Sequence, residues 1–309
     1  MPSTPGHSNA SAPLVLAIGQ FDGVHRGHQA VFRAAVESAQ RLRGTSGCLT
    51  FSPHVARLLD PVRAPLLLAT PEQNQALIAA CGIGQIHVIP FTREFAAMGP
   101  ENFLALLKLE FPTLAEIAVG QNFTFGKDRA GNSAALPVLA GKVGCRARVV
   151  PHVEWDGLPI SSSRIRAAVQ AGDLPLARAM LGRPFALAGS VVRGRAVGRT
   201  LGFPTANVRP ALPIRPAPGI YAARLHLPDG PRPGAAFVPD PADPAQAHFG
   251  TIVEIHVPGL SRDLYGQAVE VSFTRRLRGH MDFPDAAAAS AQIARDVEAA
   301  LAADVQDNP

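Results

Sequence analysis

The sequence predicts two folded parts: an α/β domain on a parallel sheet, then a small antiparallel β-barrel followed by a C-terminal helix. Three observations predict this. In the first half, short apolar runs alternate with helical stretches, the pattern of strands joined by crossover helices. Past residue 184 the runs become short β segments between Pro- and Gly-rich loops. One last helical stretch, residues 284–302, carries a single apolar stripe of Ile293, Val297 and Leu301. A length of 309 residues suits two domains, with one large α/β domain as the alternative.

The first strand is the apolar run Leu14-Val15-Leu16-Ala17-Ile18. Gly19-Gln20-Phe21-Asp22-Gly23-Val24-His25-Arg26-Gly27-His28 follows, then a helix over residues 29–43 with Val31, Ala34, Ala35 and Val36 as its apolar residues. The ten residues therefore form a strand-to-helix turn. Such a turn aims free backbone N–H groups and the positive end of the helix dipole above the strand, where a phosphate fits. Gly19, Gly23 and Gly27 permit a tight turn and close approach of a ligand to the backbone. His25 and His28 are three apart, so both rings leave one helix face. There they can donate hydrogen bonds to a phosphate that gains charge in a transition state. A Gly-rich turn or a His pair alone reads equally well as capping or surface chemistry. The position directly after a buried strand favours a site.

A second strand ends in Gly47-Cys48-Leu49-Thr50-Phe51-Ser52-Pro53-His54. A helix is expected over residues 71–81, with Pro71 in its first turn and Gly82 as its stop. A third strand covers residues 86–91, and Pro100-Glu101-Asn102 opens a helix carrying Phe103, Leu104, Leu106 and Leu107. The fourth strand, Ile117-Ala118-Val119-Gly120, leads into residues 121–132. Those residues offer the Asn122 amide, the Phe123 and Phe125 rings and the cations Lys127 and Arg129. They suit the wall of a purine or flavin site, or a surface loop over a buried Phe pair. A fifth strand over residues 148–153 precedes Pro159-Ile160-Ser161-Ser162-Ser163-Arg164-Ile165-Arg166, which opens a helix stopping near Gly172. This start reads as a capped helix or as a phosphate grip of hydroxyls and arginines.

Composition narrows the function classes. No apolar run approaches the ~20 residues needed to span a bilayer. Residues 1–13 are polar, with no Lys or Arg and no apolar centre, so they are expected to be a disordered leader and not a secretory signal. Cys48, Cys81 and Cys145 are widely spaced, which argues against a structural zinc site or a disulfide framework and suits a cytoplasmic protein. A net charge of +5 and a pI near 9.6 suit anionic substrates, or simply a basic proteome. With 6% aromatics and no aromatic-studded basic stripe, nucleic acid is not expected as a partner.

Residues 19–28 resemble the Gly-x-Phe-Asp-Gly-x-His-x-Gly-His motif of the nucleotidyltransferase superfamily. More closely, they resemble the adenylyltransferase half of bacterial bifunctional riboflavin kinase/FMN adenylyltransferases, the FAD synthetase family. Thr50, Phe51, Pro53 and His54 are similar to the family's Thr-Phe-acidic-Pro-His-Pro, with Ser52 and Val55 as departures. Residues 119–132 resemble Val-Gly-x-(Asp/Asn)-Phe-x-Phe-Gly-Lys-x-Arg-x-Gly-Asp, with Asn132 for the last Asp. Residues 160–166 resemble Ile-Ser-Ser-Thr-x-Ile-Arg, with Ser163 for Thr. In the second half, Gly198-Arg199-Thr200-Leu201-Gly202-Phe203-Pro204-Thr205-Ala206-Asn207 resembles the riboflavin kinase signature, as do Gly219-Ile220-Tyr221-Ala222, Val253-Glu254-Ile255-His256 and Leu277-Arg278.

The resemblance spans about residues 14–302. It implies a Rossmann-like α/β nucleotidyltransferase domain over residues 14–183 and a riboflavin kinase-like barrel over residues 184–305. The implied reactions are adenylyl transfer from ATP to FMN, releasing pyrophosphate, and phosphorylation of riboflavin by ATP, both with Mg²⁺. His25 and His28 are then catalytic, and Gly19, Phe21, Asp22, Gly23, Ser162, Ser163 and Arg166 hold ATP and its phosphates. Asn122, Phe123, Phe125, Arg129 and Arg278 bind flavin. Gly198 and Thr205 bind phosphate, Thr205 and Asn207 hold the metal, and Glu254 is the general base. Two alternatives stay open: a nucleotidyltransferase with another phosphate acceptor, and a non-catalytic flavin-binding regulatory protein. The oligomeric state is also left open. One stretch departs from the family. Where riboflavin kinases carry an Asn-Ile-Gly turn and then Pro-Thr, residues 234–244 carry neither, and Pro239, Pro241 and Pro244 lack backbone donors. Asp240 and Asp243 add negative charge there, so the kinase is expected to be present in fold but weak.

Overall fold

A computed structural model describes residues 12–194, 197–244 and 246–307. Most of the expected leader, residues 1–11, lies outside the described residues. The described chain forms two compact units. One runs to Pro65 and continues over Asn74–Ile160; the other takes Leu66–Gln73 and the chain from Ser161 onward.

The first unit is built on five strands, β1 (Leu14–Ile18), β2 (Thr45–Ser52), β3 (Gln85–Pro90), β4 (Leu114–Gly120) and β5 (Arg146–Val150). They lie in the order β3-β2-β1-β4-β5, and every neighbouring pair is parallel. Helices α1 (Arg26–Arg41), α2 (Pro71–Ala80), α3 (Pro100–Glu110) and α4 (Leu136–Lys142) lie between them in the chain. All five residues of β1 are buried because both faces of the sheet are covered. Leu14, Leu16 and Ile18 pack with Leu49, Phe103, Leu104 and Leu107 on one face. Val15 and Ala17 pack with Val31, Phe32 and Ala35 of α1 on the other. Each such Leu or Phe contributes about 1.5–3 kcal/mol on burial. The chain runs outward from β1 to β3, then returns to β4 on the other side of β1. Strand order therefore reverses between β1 and β4, and open parallel sheets bind ligands beyond the C-terminal strand ends at such a reversal.

The second unit begins with two helices, α5 (Ser162–Ala171) and α6 (Leu174–Leu181). Each ends on a glycine in the left-handed region, Gly172 at φ 78° and Gly182 at φ 76°. Six strands then close a barrel: β6 (Phe185–Val192), β7 (Thr205–Pro210), β8 (Gly219–Leu227), β9 (Gly230–Val238), β10 (Val253–His256) and β11 (Ala268–Arg278). Their order round the barrel is β6-β7-β10-β9-β8-β11, antiparallel throughout. The expected fold class thus holds. β7 and β9 are additions to the four β runs legible at residues 186–192, 220–227, 252–257 and 268–273; in β9, Pro231 and Pro233 make the sequence read as a loop. Both prolines fall on the stretch paired with β8 alone, since β10 pairs only with Ala235–Phe237. With no second neighbour there, the missing N–H groups cost nothing.

The last helix, α7, is Ala286–Asp307. Its buried face is turned relative to the expected stripe, with Val297 flanked by Asp296, Ala300 and Ala303. Alanines let the helix approach β8 closely at Ala222. Two of its aspartates pair with barrel arginines: Asp296 with Arg278, and Asp304 with Arg224.

Candidate active sites

The turn after β1 is tightly built. Gly23 takes φ 77°, and Phe21 and Val24 also lie in the left-handed region at 46° and 39°. Those two are apolar and buried, so core packing offsets the backbone strain. The Phe21 ring lies over Gly19, where an added Cβ would sit 3.0 Å from it. The Gly23 N–H donates to Asn74 Oδ1 at 2.9 Å. His25 is the N-cap of α1, and its Nδ1 accepts from the His28 N–H at 3.3 Å. α1 therefore starts three residues before the sequence pattern places it. An added Cβ on Gly27 would come 3.0 Å from the His25 ring, so only glycine lets that ring fold against the first turn.

The two imidazoles stack, with centroids 3.6 Å apart and planes 21° from parallel. Phe21 meets His28 edge-on at 5.2 Å. His28 Nδ1 is buried without a hydrogen-bond partner. Burial, and then the neighbouring His25, hold the His28 imidazole well below its ordinary value of 6.5. The His28 ring consequently sits at the helix start uncharged, where it can donate a hydrogen bond to an incoming anion.

Gln20 links this turn to the end of β2. Its side-chain nitrogen donates to the Phe51 carbonyl at 3.1 Å, and its Oε1 accepts from the Val55 N–H at 3.1 Å. Phe51 and Val55 open a cleft of about 640 Å³ that is also lined by Phe91, Phe95, Met98, Phe103, Phe123, Phe125 and Arg129. The rings touch in sequence: Phe51–Phe91, Phe91–Phe95, Phe95–Phe103 and Phe103–Phe125 at 5.7–5.9 Å, and Phe123 stacked on Phe125 at 5.4 Å. Of the expected flavin residues, Phe123, Phe125 and Arg129 line the cleft, and Asn122 is not among the lining residues. Gly131 carries no Cβ because one would come within 2.7 Å of the Phe125 ring. Asn132, a departure from the family, caps the following turn through Oδ1 to the Ala135 N–H at 2.9 Å, a role Asp fills equally. Sequence reading missed Phe91, Phe95, Met98 and Phe103. The available signal was Phe91, an aromatic residue directly after the end of β3.

In the second unit, Ser161 caps α5, accepting from the Arg164 N–H at 3.3 Å. Ser162 and Ser163 occupy the first turn, and Arg166 Nη1 donates to Ser163 Oγ at 3.1 Å. Hydroxyls and a guanidinium thus share one helix start.

The barrel gathers its polar residues by register. Asn207 of β7 pairs directly with Glu254 of β10, and Thr205 lies two residues away on the same face as Asn207. Asn207 is buried, and a Cβ on Gly194 would lie 2.4 Å from its Oδ1. A Cβ on Gly198 would strike the Phe203 carbonyl at 2.4 Å. Both glycines therefore let the loop close on Asn207 and Thr205. Thr205 borders two clefts. One, of about 370 Å³, is lined by Gly198, Phe237, Phe249, Glu254, Arg278 and Phe283, among others. The second, of about 470 Å³, includes Arg199, Arg262, Asp263 and Tyr265. Arg278 is held by Asp296 through three contacts of 2.6–3.1 Å, and Gln292 Nε2 donates to the same carboxylate at 2.9 Å. Asp296 and the aromatic wall were not legible as site residues.

The departing loop closes on itself. Gln246, buried, accepts the Asp240 N–H at 2.9 Å and donates to Asp243 Oδ2 at 2.6 Å. Phe237 meets Phe249 edge-on at 5.2 Å, and both face the smaller cleft. Neither aspartate lines either cleft.

A family model for FAD synthetase matches residues 7–164, and one for riboflavin kinase matches residues 181–303. The bifunctional riboflavin kinase/FMN adenylyltransferase of Escherichia coli K12 is 34% identical over 94% of this chain and 93% of its own length. That of Bacillus subtilis is 32% identical over 94% and 92%. A crystal structure of a Streptococcus pneumoniae protein described as a macrolide-efflux protein is also similar, with a TM-score of 0.80 and 26% identity over 92% of each chain. No helix among the described residues of this chain is long and apolar enough to cross a membrane. The two matched models, in order along nearly the whole chain, identify it as a member of the bifunctional riboflavin kinase/FMN adenylyltransferase family.

Proposed function

We propose that the chain makes FAD in two steps at two separate sites. The barrel phosphorylates riboflavin with ATP, and the sheet domain transfers an adenylyl group from ATP to the FMN phosphate, releasing pyrophosphate. The observation that carries the second assignment is the stacked His25–His28 pair at the start of α1, beside the strand-order reversal. In this reading the FMN phosphate attacks the α-phosphate of ATP. His25 and His28 donate to the oxygens that gain charge, while the backbone of Gly19, Phe21, Asp22 and Gly23 lines the turn. Ser162, Ser163 and Arg166 hold the nucleotide phosphates, with the Arg fork orienting them for in-line attack. The aromatic cleft with Phe123, Phe125 and Arg129 takes the flavin ring, with Asn122 next to Phe123 in the chain as a further flavin-binding residue. We assign adenylyl transfer to residues 14–183 and the kinase to residues 184–305.

In the barrel, Glu254 takes the proton of the riboflavin 5′-hydroxyl as it attacks the γ-phosphate. The smaller cleft holds the flavin against Phe237, Phe249 and Arg278, and the larger one holds the nucleotide. Thr205, on both, stands where the phosphates meet the hydroxyl. The donor set suits Mg²⁺: a hydroxyl, an amide and a nearby carboxylate, packed by two glycines that keep the backbone close. When bound there, Mg²⁺ neutralises phosphate charge; Thr205, Asn207 and Gly198 would hold it with the phosphates. The three cysteines are unbridged, in keeping with a reducing cytoplasm.

The test is incubation of the full chain with ATP, Mg²⁺ and either FMN or riboflavin, read by chromatography. FAD from FMN, and FMN from riboflavin, are the expected products. No product from either flavin would leave a binding protein, and turnover of another phosphate acceptor alone would leave a different transferase.

A further inference from the structure

Besides the buried Asp22 and the two histidines, the phosphate turn carries a fourth ionisable residue, which the account above leaves idle. Arg26 is the first residue of α1, between the two stacked rings in sequence. It is exposed, and among the described residues it makes no ion pair or hydrogen bond. Its guanidinium instead lies over the ring of Trp155, 5.6 Å from the centroid. Trp155 is the chain's single tryptophan and sits on a two-stranded ribbon, Glu154–Trp155 with Leu158–Pro159. The ribbon turns tightly through Asp156 at φ 53° and Gly157 at φ 69°. Three other cations of this unit lie against carboxylates instead: Arg41 on Glu116, Arg148 on Glu37 and Lys142 on Glu101.

The charge balance at the turn gives Arg26 its importance. Two imidazoles 3.6 Å apart cannot both be protonated cheaply, so the pair contributes hydrogen-bond donors and little net charge near neutral pH. A nucleotide polyphosphate brings several negative charges. An arginine stays charged throughout, and a Trp face holds it without neutralising it, as a carboxylate would. The ring fixes the long side chain and thereby lowers the entropy lost when the fork binds oxygens.

We infer that Arg26 is a further polyphosphate-binding residue of the adenylyl-transfer site and that Trp155 is the positioning residue that aims it. The inference rests on the adenylyl-transfer reading above. Arg26→Ala should raise the KM for ATP by about tenfold to a hundredfold, the range for a lost charge-assisted contact, with the KM for FMN little changed. Trp155→Ala should move the same constant in the same direction by about threefold to tenfold, and Trp155→Phe, which keeps an aromatic face, by less. Because Trp155 is the only tryptophan, its fluorescence should change on titration with inorganic pyrophosphate, and the change should be lost in Arg26→Ala. Riboflavin phosphorylation by the same variants controls for folding. An unchanged KM for ATP in Arg26→Ala overturns the inference, as does a Trp155 signal blind to pyrophosphate. If His28→Ala still blocks FAD formation in that case, the adenylyl-transfer reading survives; if it does not, the reading itself has failed.

Discussion

The two candidate sites are assembled in opposite ways. In the sheet domain the groups proposed to handle phosphate, from Gly19 to His28, are one continuous turn, placed by a buried strand before it and a helix after it. In the barrel, Thr205 and Asn207 come from β7, Glu254 from β10, Arg278 from β11, and Asp296 from the terminal helix. A local site depends on backbone geometry and tolerates little change within its ten residues. A site gathered from several elements depends on register and tolerates loop replacement, provided the strands stay paired. The family motif is nearly complete in the first site, whereas in the second the departures concentrate in one loop.

The sharpest test of the comparison is a pair of single substitutions. His28→Ala removes one preorganised donor, so FMN→FAD turnover should fall by at least about a hundredfold while riboflavin phosphorylation holds. Glu254→Gln removes the proposed base without altering shape, and riboflavin phosphorylation should fall by about 10²–10⁴ while adenylylation holds. Initial rates with each flavin in the same preparation check both. Equal losses in both reactions from either variant would mean that the sites are not separate.

The same contrast explains what could be read from sequence. The alternation of apolar strands with helices, the glycine turn and the Pro-Thr-Ala-Asn segment depend on neighbours in the chain, and each was legible. The aromatic cleft was half legible. Phe51, Phe123 and Phe125 lie inside motifs, but Phe91, Phe95 and Phe103 meet them only because the chain after β3 and the helix α3 deliver them to one end of the sheet. Asp296 was hidden because a helix with Ile293, Val297 and Leu301 reads as an ordinary apolar stripe. Alanines at 300 and 303 make the real contact face, and an aspartate on it is tolerable only because Arg278 waits on β11.

A smaller effect concerns pH. The His28 imidazole is held below its ordinary value by burial and by His25. The unfolded chain binds a proton near pH 6.5 that the folded chain refuses. His28 therefore contributes stability above that pH, and the contribution is lost as pH falls from about 6.5 toward the depressed folded value. Thermal melts should show Tm declining over this acid range, and His28→Asn, which does not titrate, should flatten part of the decline. A wild-type Tm that rises on acidification from pH 6.5 would place a charged His28 in the folded protein.

The smallest effect tests the departing loop, where the sequence and the structure pull apart. The missing Asn-Ile-Gly turn and the prolines at 239, 241 and 244 remove backbone donors, which would slow phosphoryl transfer. The loop has its own pin in Gln246, and it sets Phe237 and Phe249 against the smaller barrel cleft. An apolar wall serves binding of a flavin ring, while donors near the phosphates serve turnover. The two constants should therefore separate: the kcat of riboflavin phosphorylation lies below that of FAD formation in the same preparation, with an ordinary KM for riboflavin. Gln246→Ala removes two hydrogen bonds worth about 1 kcal/mol each, so the loop should loosen and the KM for riboflavin rise severalfold, with adenylylation unmoved. A kinase as fast as the adenylyltransferase would show that the lost donors were never needed. A KM indifferent to Gln246 would show that the aromatic wall stands without its pin.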